Sequence, residues 1–209
     1  KFSKDNGQLY QYLYKGSDFL KSGLEPYFWR APTDNDLGNG MQNRTAIWRN
    51  AGKELNLKEL KYSIKNNVIN IQVLSSHKST KTELKTDYLV FGNGLIKVTH
   101  ELLSTNPRNP EIPRFGMRMS LTGDFTNLNW YGRGPHESYC DRKISAAIGR
   151  YSGKVWEQTH PYIRPQETGN KTDIRWMAVS NGSMGVMIKG LPTFDGSVHQ
   201  YSYEDLDHV

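Results

Sequence analysis

The chain has 209 residues, a formal net charge of +6 at pH 7 and a single cysteine, Cys140, which excludes an internal disulfide and a multi-cysteine zinc site. Its lysines and arginines are scattered along the whole length, which favours a solvated surface over a nucleic-acid-binding face. The sequence contains no apolar run of about 18 residues, so it predicts no membrane-spanning helix. We therefore expect neither a nucleic-acid partner nor a membrane partner.

The N-terminal segment alternates polar with large apolar residues over Gln8–Tyr14, which predicts a strand. Lys15-Gly16 predicts the turn that ends it, and Phe19-Leu20 begins the returning strand. Further on, the polar segment Met41–Ala51 carries two large apolar residues. This pattern predicts a short surface helix that stops at Gly52.

The middle of the chain predicts an antiparallel meander with one buried and one solvated face, because its apolar residues alternate. Asn66-Asn67 and Asn93-Gly94 are typical hairpin turns. The predicted strands are Leu55–Ile64, Val68–Leu74, Lys81–Phe91 and Leu95–Leu103. The three prolines of residues 106–113 exclude regular structure there.

The second half of the chain continues with short strand candidates. They are Phe115–Leu121, Ala146–Trp156, Ile174–Val179, Met184–Ile188 and Ser197–Tyr203. Strand-forming residues are frequent throughout, and Gly and Pro interrupt them often, which favours an all-β sandwich or barrel. Because no repeat or linker is visible, the simplest prediction is a single domain over residues 1–209.

A compact corner of the sequence lies at Tyr27–Gly38, where three aromatic residues run into Arg30 and then into an Asp-Asn-Asp cluster. Pro32 fixes a turn at this corner. We expect Arg30 to form a structural ion pair with Asp34 or Asp36.

Several acidic residues fit parts of catalytic or metal-binding patterns. The candidates for the carboxylate pair of a glycosidase are Glu137 with Asp141, or Glu167 with either of these two acids. Each lies near an arginine in sequence, which is more typical of structural ion pairs; these arginines are Arg133, Arg142 and Arg164. The spacing Asp34-x-Asp36 begins a calcium loop that lacks its final acid. We therefore predict no catalytic residue and no metal site in this chain.

Two other functions remain open from the residues alone. Core packing is the favoured role for the tryptophans Trp130, Trp156 and Trp176. If one of them is exposed, it would suit stacking on a sugar ring, as in a stand-alone carbohydrate-binding module. A mutarotase-like enzyme would need a histidine and a carboxylate in one cleft, and the histidines His100, His136, His160 and His199 show no motif for this.

Three motifs carry a resemblance to a known family. The motifs are Phe28–Asp36, Trp130–Arg142 and Tyr162–Gly169. In this order they resemble motifs of the C-terminal domain of LacZ-type β-galactosidases of glycoside hydrolase family 2. This domain is also called the small chain. The resemblance extends over essentially all 209 residues. It implies an all-β supersandwich of the galactose mutarotase-like type, with one or two short helices.

The resemblance also implies how the chemistry is divided. In that family the acid/base and nucleophile glutamates lie on a TIM barrel in another part of the parent chain, and Mg²⁺ and Na⁺ are bound by other domains. We therefore expect an incomplete domain, cut from a longer parent, whose partners are the TIM barrel and, in the parent, a β-galactoside substrate. Oligomers are possible, and a cytoplasmic or periplasmic location in a bacterium is left open.

By the same resemblance, the loop after the Asp-Asn-Asp cluster lies near the mouth of the barrel's active site. We name this segment, residues 38–44, the mouth loop; its candidate residues are Gly38, Asn39, Gly40 and Arg44. We expect a mobile flap hinged on its glycines. Arg30, Asp34 and Asp36 would anchor it.

Overall fold

The computed structural model describes residues 1–207. The last two residues of the predicted domain, 208 and 209, lie outside the described residues. The strands are β1 (Leu13–Tyr14), β2 (Ser17–Asp18), β3 (Leu20–Tyr27), β4 (Asn56–Lys65), β5 (Val68–His77), β6 (Thr82–Phe91), β7 (Ile96–Ser104), β8 (Gly116–Leu121), β9 (Asn127–Gly134), β10 (Ala147–Lys154), β11 (Lys171–Ser180) and β12 (Gly185–Gly196).

The helices of the described residues are short. They are α1 (Asp34–Gly38) and α2 (Met41–Arg44), with single 3-10 turns at Ala46–Trp48, Val155–Gln158 and Tyr203–Asp205. The strands form antiparallel sheets that do not close, consistent with a β-sandwich. The prediction of an all-β fold with one or two short helices is therefore confirmed.

The chain divides into two compact units, which are described separately. Unit 1 comprises Lys1–Arg30 and Gly40–Leu121, and unit 2 comprises Ala31–Asn39 and the chain from Thr122 onward. The single domain over residues 1–209 stays a prediction.

The largest sheet of unit 1 is the predicted meander, with strand order β4-β5-β6-β7. Asn66 and Asn67 have φ values of 50° and 59°, and Gly94 has a φ of 89°, so each hairpin turns in the left-handed region. Alternate residues of β5, such as Ile71 and Val73, are buried. They pack in a core with Leu9, Leu20 and Tyr88.

Strands β3 and β8 form a second antiparallel sheet in unit 1, and β1 and β2 form a short hairpin. The predicted strand Gln8–Tyr14 is wrong over most of its length, because only Leu13–Tyr14 pairs as a strand and Leu9 makes isolated bridges. The Asp18 carboxylate explains this difference. It accepts a hydrogen bond from the backbone amide of Tyr12 at 3.2 Å, so this donor does not join a ladder.

The predicted helix Met41–Ala51 is also wrong as a single element. Helix α2 ends at Arg44, and a 3-10 turn follows at Ala46–Trp48. The buried Thr45 hydroxyl donates to the Met41 carbonyl at 2.8 Å, a bond that competes with regular helix. Gly52 is needed for close packing, since a Cβ there would lie 2.1 Å from the Pro26 carbonyl oxygen.

Unit 2 is built on one antiparallel sheet with strand order β10-β9-β11-β12. Its buried apolar residues include Leu128 and Trp130 on β9 and Ile174 and Met177 on β11. The core role predicted for Trp130 is confirmed, whereas Trp156 is half-exposed.

The predicted strand Ser197–Tyr203 is wrong, because this segment is irregular and ends in the 3-10 turn at Tyr203–Asp205. The Ser202 hydroxyl accepts from the Asp205 amide, and the Asp205 carboxylate accepts from the Ser202 amide at 2.8 Å. This reciprocal cap begins a helical turn where the alternation indicated a strand.

Candidate functional site

The clearest polar cluster of unit 2 lies on the two long loops beside its sheet. The first loop, residues 135–146, joins β9 to β10, and the second loop, residues 159–170, leads into β11. The loops overlap the motifs Trp130–Arg142 and Tyr162–Gly169. We name the side chains that join the two loops the Glu137 cluster; they are Glu137, Arg142, Tyr162 and Thr168, with the amide of Gly169.

Glu137 is the centre of this cluster. Its Oε1 accepts from the Arg142 guanidinium at 2.5 Å and from the Tyr162 hydroxyl. Its Oε2 accepts from the Gly169 amide at 2.8 Å and from the Thr168 hydroxyl at 3.3 Å. Arg142 also donates to the Tyr162 oxygen at 2.7 Å. One carboxylate therefore fixes the first loop to the second at three points, Tyr162, Thr168 and Gly169, while Arg142 binds it from within the first loop.

These contacts set the ionisation of the carboxylate. Burial, the largest influence, acts to raise the pKa of Glu137, but the hydrogen bonds from Tyr162 and Gly169 and the charge of Arg142 together lower it. The Tyr162 hydroxyl responds in the opposite sense, because burial and the Glu137 carboxylate raise its pKa. Glu137 is therefore held ionised, which suits a structural ion pair and is unsuited to a general acid.

Of the two other candidate acids, Glu167 is fully buried and Asp141 is exposed. A further contact between an arginine and a carboxylate in unit 2 lies at Asp173. Asp173 accepts from Arg133 at 2.5 Å, and that contact is the first cause of the lowered pKa of the Asp173 carboxyl. The prediction that the arginines near these acids form structural ion pairs is confirmed for Glu137 with Arg142.

Lys171 was missed by the sequence analysis. It begins β11, is fully buried, and carries its ammonium 5.2 Å from the centre of the Trp130 ring. Burial lowers the pKa of the Lys171 amine to about 8, against the opposing influence of Glu137. No sequence signal indicates this, since a lysine at a strand end is usually exposed.

Helix α1 carries the acidic residues of the predicted ion-pair corner. Thr33 caps it: the Thr33 hydroxyl accepts from the Asp36 amide, and the Asp36 carboxylate accepts from the Thr33 amide at 2.9 Å. Asp34 accepts from the Gln166 side chain at 3.1 Å and lies 3.8 Å from the Arg164 guanidinium. Within unit 2, α1 is therefore attached to the second loop.

Comparison with known proteins agrees with these motifs. The family model for the β-galactosidase small chain matches residues 1–209. The chain belongs to this family. A β-galactosidase of Priestia megaterium is 40% identical to this small chain over 207 residues, which cover 99% of the chain and 20% of that protein. A β-galactosidase of Lactobacillus delbrueckii subsp. bulgaricus is 38% identical over 176 residues, 84% of the chain and 17% of that protein. The small chain thus spans about a fifth of the length of these relatives.

The mouth-loop residues of the small chain lie at helix ends, so the prediction of a continuous loop over residues 38–44 is wrong, since Gly38 ends α1 and Met41–Arg44 form α2. In unit 2, Gly38 ends α1 and is exposed, and the Asn39 amide donates to the Asn35 carbonyl at 3.1 Å. In unit 1, Gly40 has a φ of 75° and precedes α2, which Arg44 ends with an ion pair to Glu111 at 2.6 Å. The mobility of the mouth loop stays a prediction.

Arg30, the last residue of unit 1's first segment, is partly buried. Its pairing with the acidic residues of α1 stays a prediction. Within residues 1–207, no three His, Cys, Asp or Glu side chains are grouped so that they would hold a metal ion. In that same part of the small chain, no helix combines the length and the apolar character needed to cross a bilayer.

Proposed function

We propose that this small chain is the non-catalytic C-terminal domain of a retaining β-galactosidase that hydrolyses terminal β-D-galactosides. The observation that carries the proposal is the match of the whole chain to the small-chain family, together with relatives about five times as long. In this proposal the chain packs on the TIM barrel of the parent, which holds the acid/base and nucleophile glutamates and, with other domains, the Mg²⁺ and Na⁺ ions.

The surroundings of Glu137 and Glu167 support a non-catalytic role. A retaining glycosidase needs one carboxyl group with a raised pKa and a second that reaches the sugar. The pKa of Glu137 is instead lowered, and its carboxylate already accepts four hydrogen bonds. Glu167 is buried. Neither acid suits the glycosidase pair.

The attachment of α1 supports a role at the mouth of the active site. The Thr33–Asp36 cap fixes the start of α1, and the contacts of Asp34 with Gln166 and Arg164 fix its side. A loop that follows a fixed helix is able to move at its glycines while its base stays in position. We propose that Gly38, Asn39, Gly40 and Arg44 border the substrate entrance in the parent.

The test is complementation of the parent enzyme. A parent from which the segment equivalent to residues 1–209 is deleted should lose β-galactosidase activity, and the separately expressed small chain should restore it. Full activity of the deleted parent would contradict the proposal. A control small chain with the exposed change Glu59→Gln should restore activity equally, since Glu59 lies in a solvated ion pair on β4.

A stand-alone carbohydrate-binding module is the second candidate. It is favoured by one observation, the half-exposed Trp156 ring with the Lys154 ammonium 5.7 Å from its centre. This function requires galactoside binding by the separate chain in calorimetry, abolished by Trp156→Ala. The absence of binding heat at millimolar sugar would exclude it.

A further inference from the structure

Two isoleucines stand out among the exposed side chains of unit 2. Ile144 on the first loop and Ile163 on the second loop have relative exposures of 98% and 107%. The next most exposed large hydrophobic side chain in residues 1–207 is Tyr62 at 73%. Single exposed apolar residues are ordinary, but two fully exposed ones on connected loops are not.

The Glu137 cluster joins the two loops that carry these isoleucines. Ile144 lies two residues after Arg142, and Ile163 directly follows Tyr162. The Arg142 guanidinium donates to the Tyr162 oxygen at 2.7 Å, and both contact the Glu137 carboxylate. The backbone positions of the two loops are thus fixed before any partner binds, which lowers the entropic cost of association.

The cations around the isoleucines are already paired within the chain. Arg142 contacts Glu137, Lys143 lies 3.6 Å from Asp173, and Arg164 lies 3.8 Å from Asp34. A surface with neutralised cations and two exposed isoleucines is a poor match for a polyanion. It suits an apolar protein surface.

We propose that Ile144 and Ile163, which we name the isoleucine pair, dock the catalytic part of the same parent polypeptide. The inference rests on the proposed function and identifies the contact that it requires. This occupant is selected because about four-fifths of the length of the relatives lies outside the present chain.

The test measures whether the isoleucine pair is covered in the full-length parent. Cys140→Ser removes the exposed thiol of the first loop, and Ile144→Cys or Ile163→Cys then introduces one reporter thiol. The rate of maleimide alkylation at each site is read by peptide mass spectrometry and divided by the rate in denaturant. Tyr62→Cys is the matched control on β4. If a cysteine variant has reduced activity, the protection of the same residues is measured instead by hydroxyl-radical footprinting of the unmodified enzyme.

Both reporter thiols should react at least about tenfold more slowly in the native parent than in denaturant, as covered sites react only through rare opening. The control thiol should show no such protection. Rapid alkylation of either reporter, or equal protection of the control, would overturn the proposal. Protection that disappears when the parent is diluted to monomers would also overturn it, because the occupant would then be a second copy. If the deleted parent needs the small chain while both thiols react freely, the docking proposal fails and the proposed function stands.

Discussion

Replacing Glu137 with Gln tests the carboxylate that fixes the two loops of unit 2. Glutamine keeps one acceptor oxygen and replaces the other with a donor amide. That amide then faces either the Gly169 amide or the Arg142 and Tyr162 donors. One partly buried donor therefore loses its acceptor, at a cost of about 1–3 kcal/mol. The half-exposed ion pair with Arg142 adds about 0–1 kcal/mol.

We expect Glu137→Gln to lower the free energy of unfolding by about 1–4 kcal/mol, the sum of these two contributions. For a chain of this size, the melting temperature should then fall by about 2–4 °C for each kcal/mol lost. Differential scanning calorimetry measures the shift, and Glu59→Gln is the control, since the Glu59–Lys61 pair is exposed and should contribute less than about 1 kcal/mol. A shift for Glu137→Gln no larger than that of the control would refute the structural role of the cluster.

The effect of Glu137→Gln also has a defined pH dependence. Because the folded pKa of Glu137 lies below the ordinary value of 4.5, its contribution to stability is present above pH 4.5 and is lost as the pH falls through the folded pKa. The difference between the two proteins should therefore be constant near neutral pH and should shrink in acid. A difference that grows on acidification would contradict the direction of this pKa shift.

Other predictions concern a lysine, a histidine and two glycines. Because the Lys171 pKa falls from 10.5 to about 8 on folding, stability should rise as the pH increases between these values, and Lys171→Met should abolish the rise in urea titrations. Burial lowers the pKa of His100 from 6.5 to about 4, so stability should fall as the pH decreases through this range; an acid titration in which His100→Asn shows the same slope would contradict this. Gly40→Ala should cost about 1 kcal/mol because its φ is 75°, whereas Gly38→Ala, with similar open space but no positive φ, should be neutral or stabilising in thermal unfolding. In the full-length parent, Gly38→Ala should change kcat and KM together if the mouth loop moves, and unchanged kinetics would count against the hinge.

The regular strands of the fold were the most predictable part of the chain. The meander from β4 to β7 has strong alternation and asparagine turns, and both signals are local. The segments Gln8–Tyr14 and Ser197–Tyr203 show similar alternation but do not form the predicted strands. In each of them, an aspartate side chain takes over backbone donors, a competition that alternation does not reveal.

The candidate site was predictable only in part. Arg142 lies close to Glu137 in sequence, so their ion pair was expected. The contacts from Tyr162 and Gly169 come from positions 25 and 32 residues away, where no local pattern indicates them. The capping box of α1 was readable from Thr33 and Asp36, but the proline and glycines around it favoured a loop. The family resemblance rested on the order of three motifs, which survives such local errors.

The most direct measurement of the central claim is the hydrolysis of a chromogenic β-galactoside by the purified small chain. The account predicts that the rate equals that of buffer at every pH, while the full-length parent turns over the same substrate. Hydrolysis by the separate chain that disappears with Glu137→Gln or Glu167→Gln would place the bond-breaking acids in this chain and contradict the account.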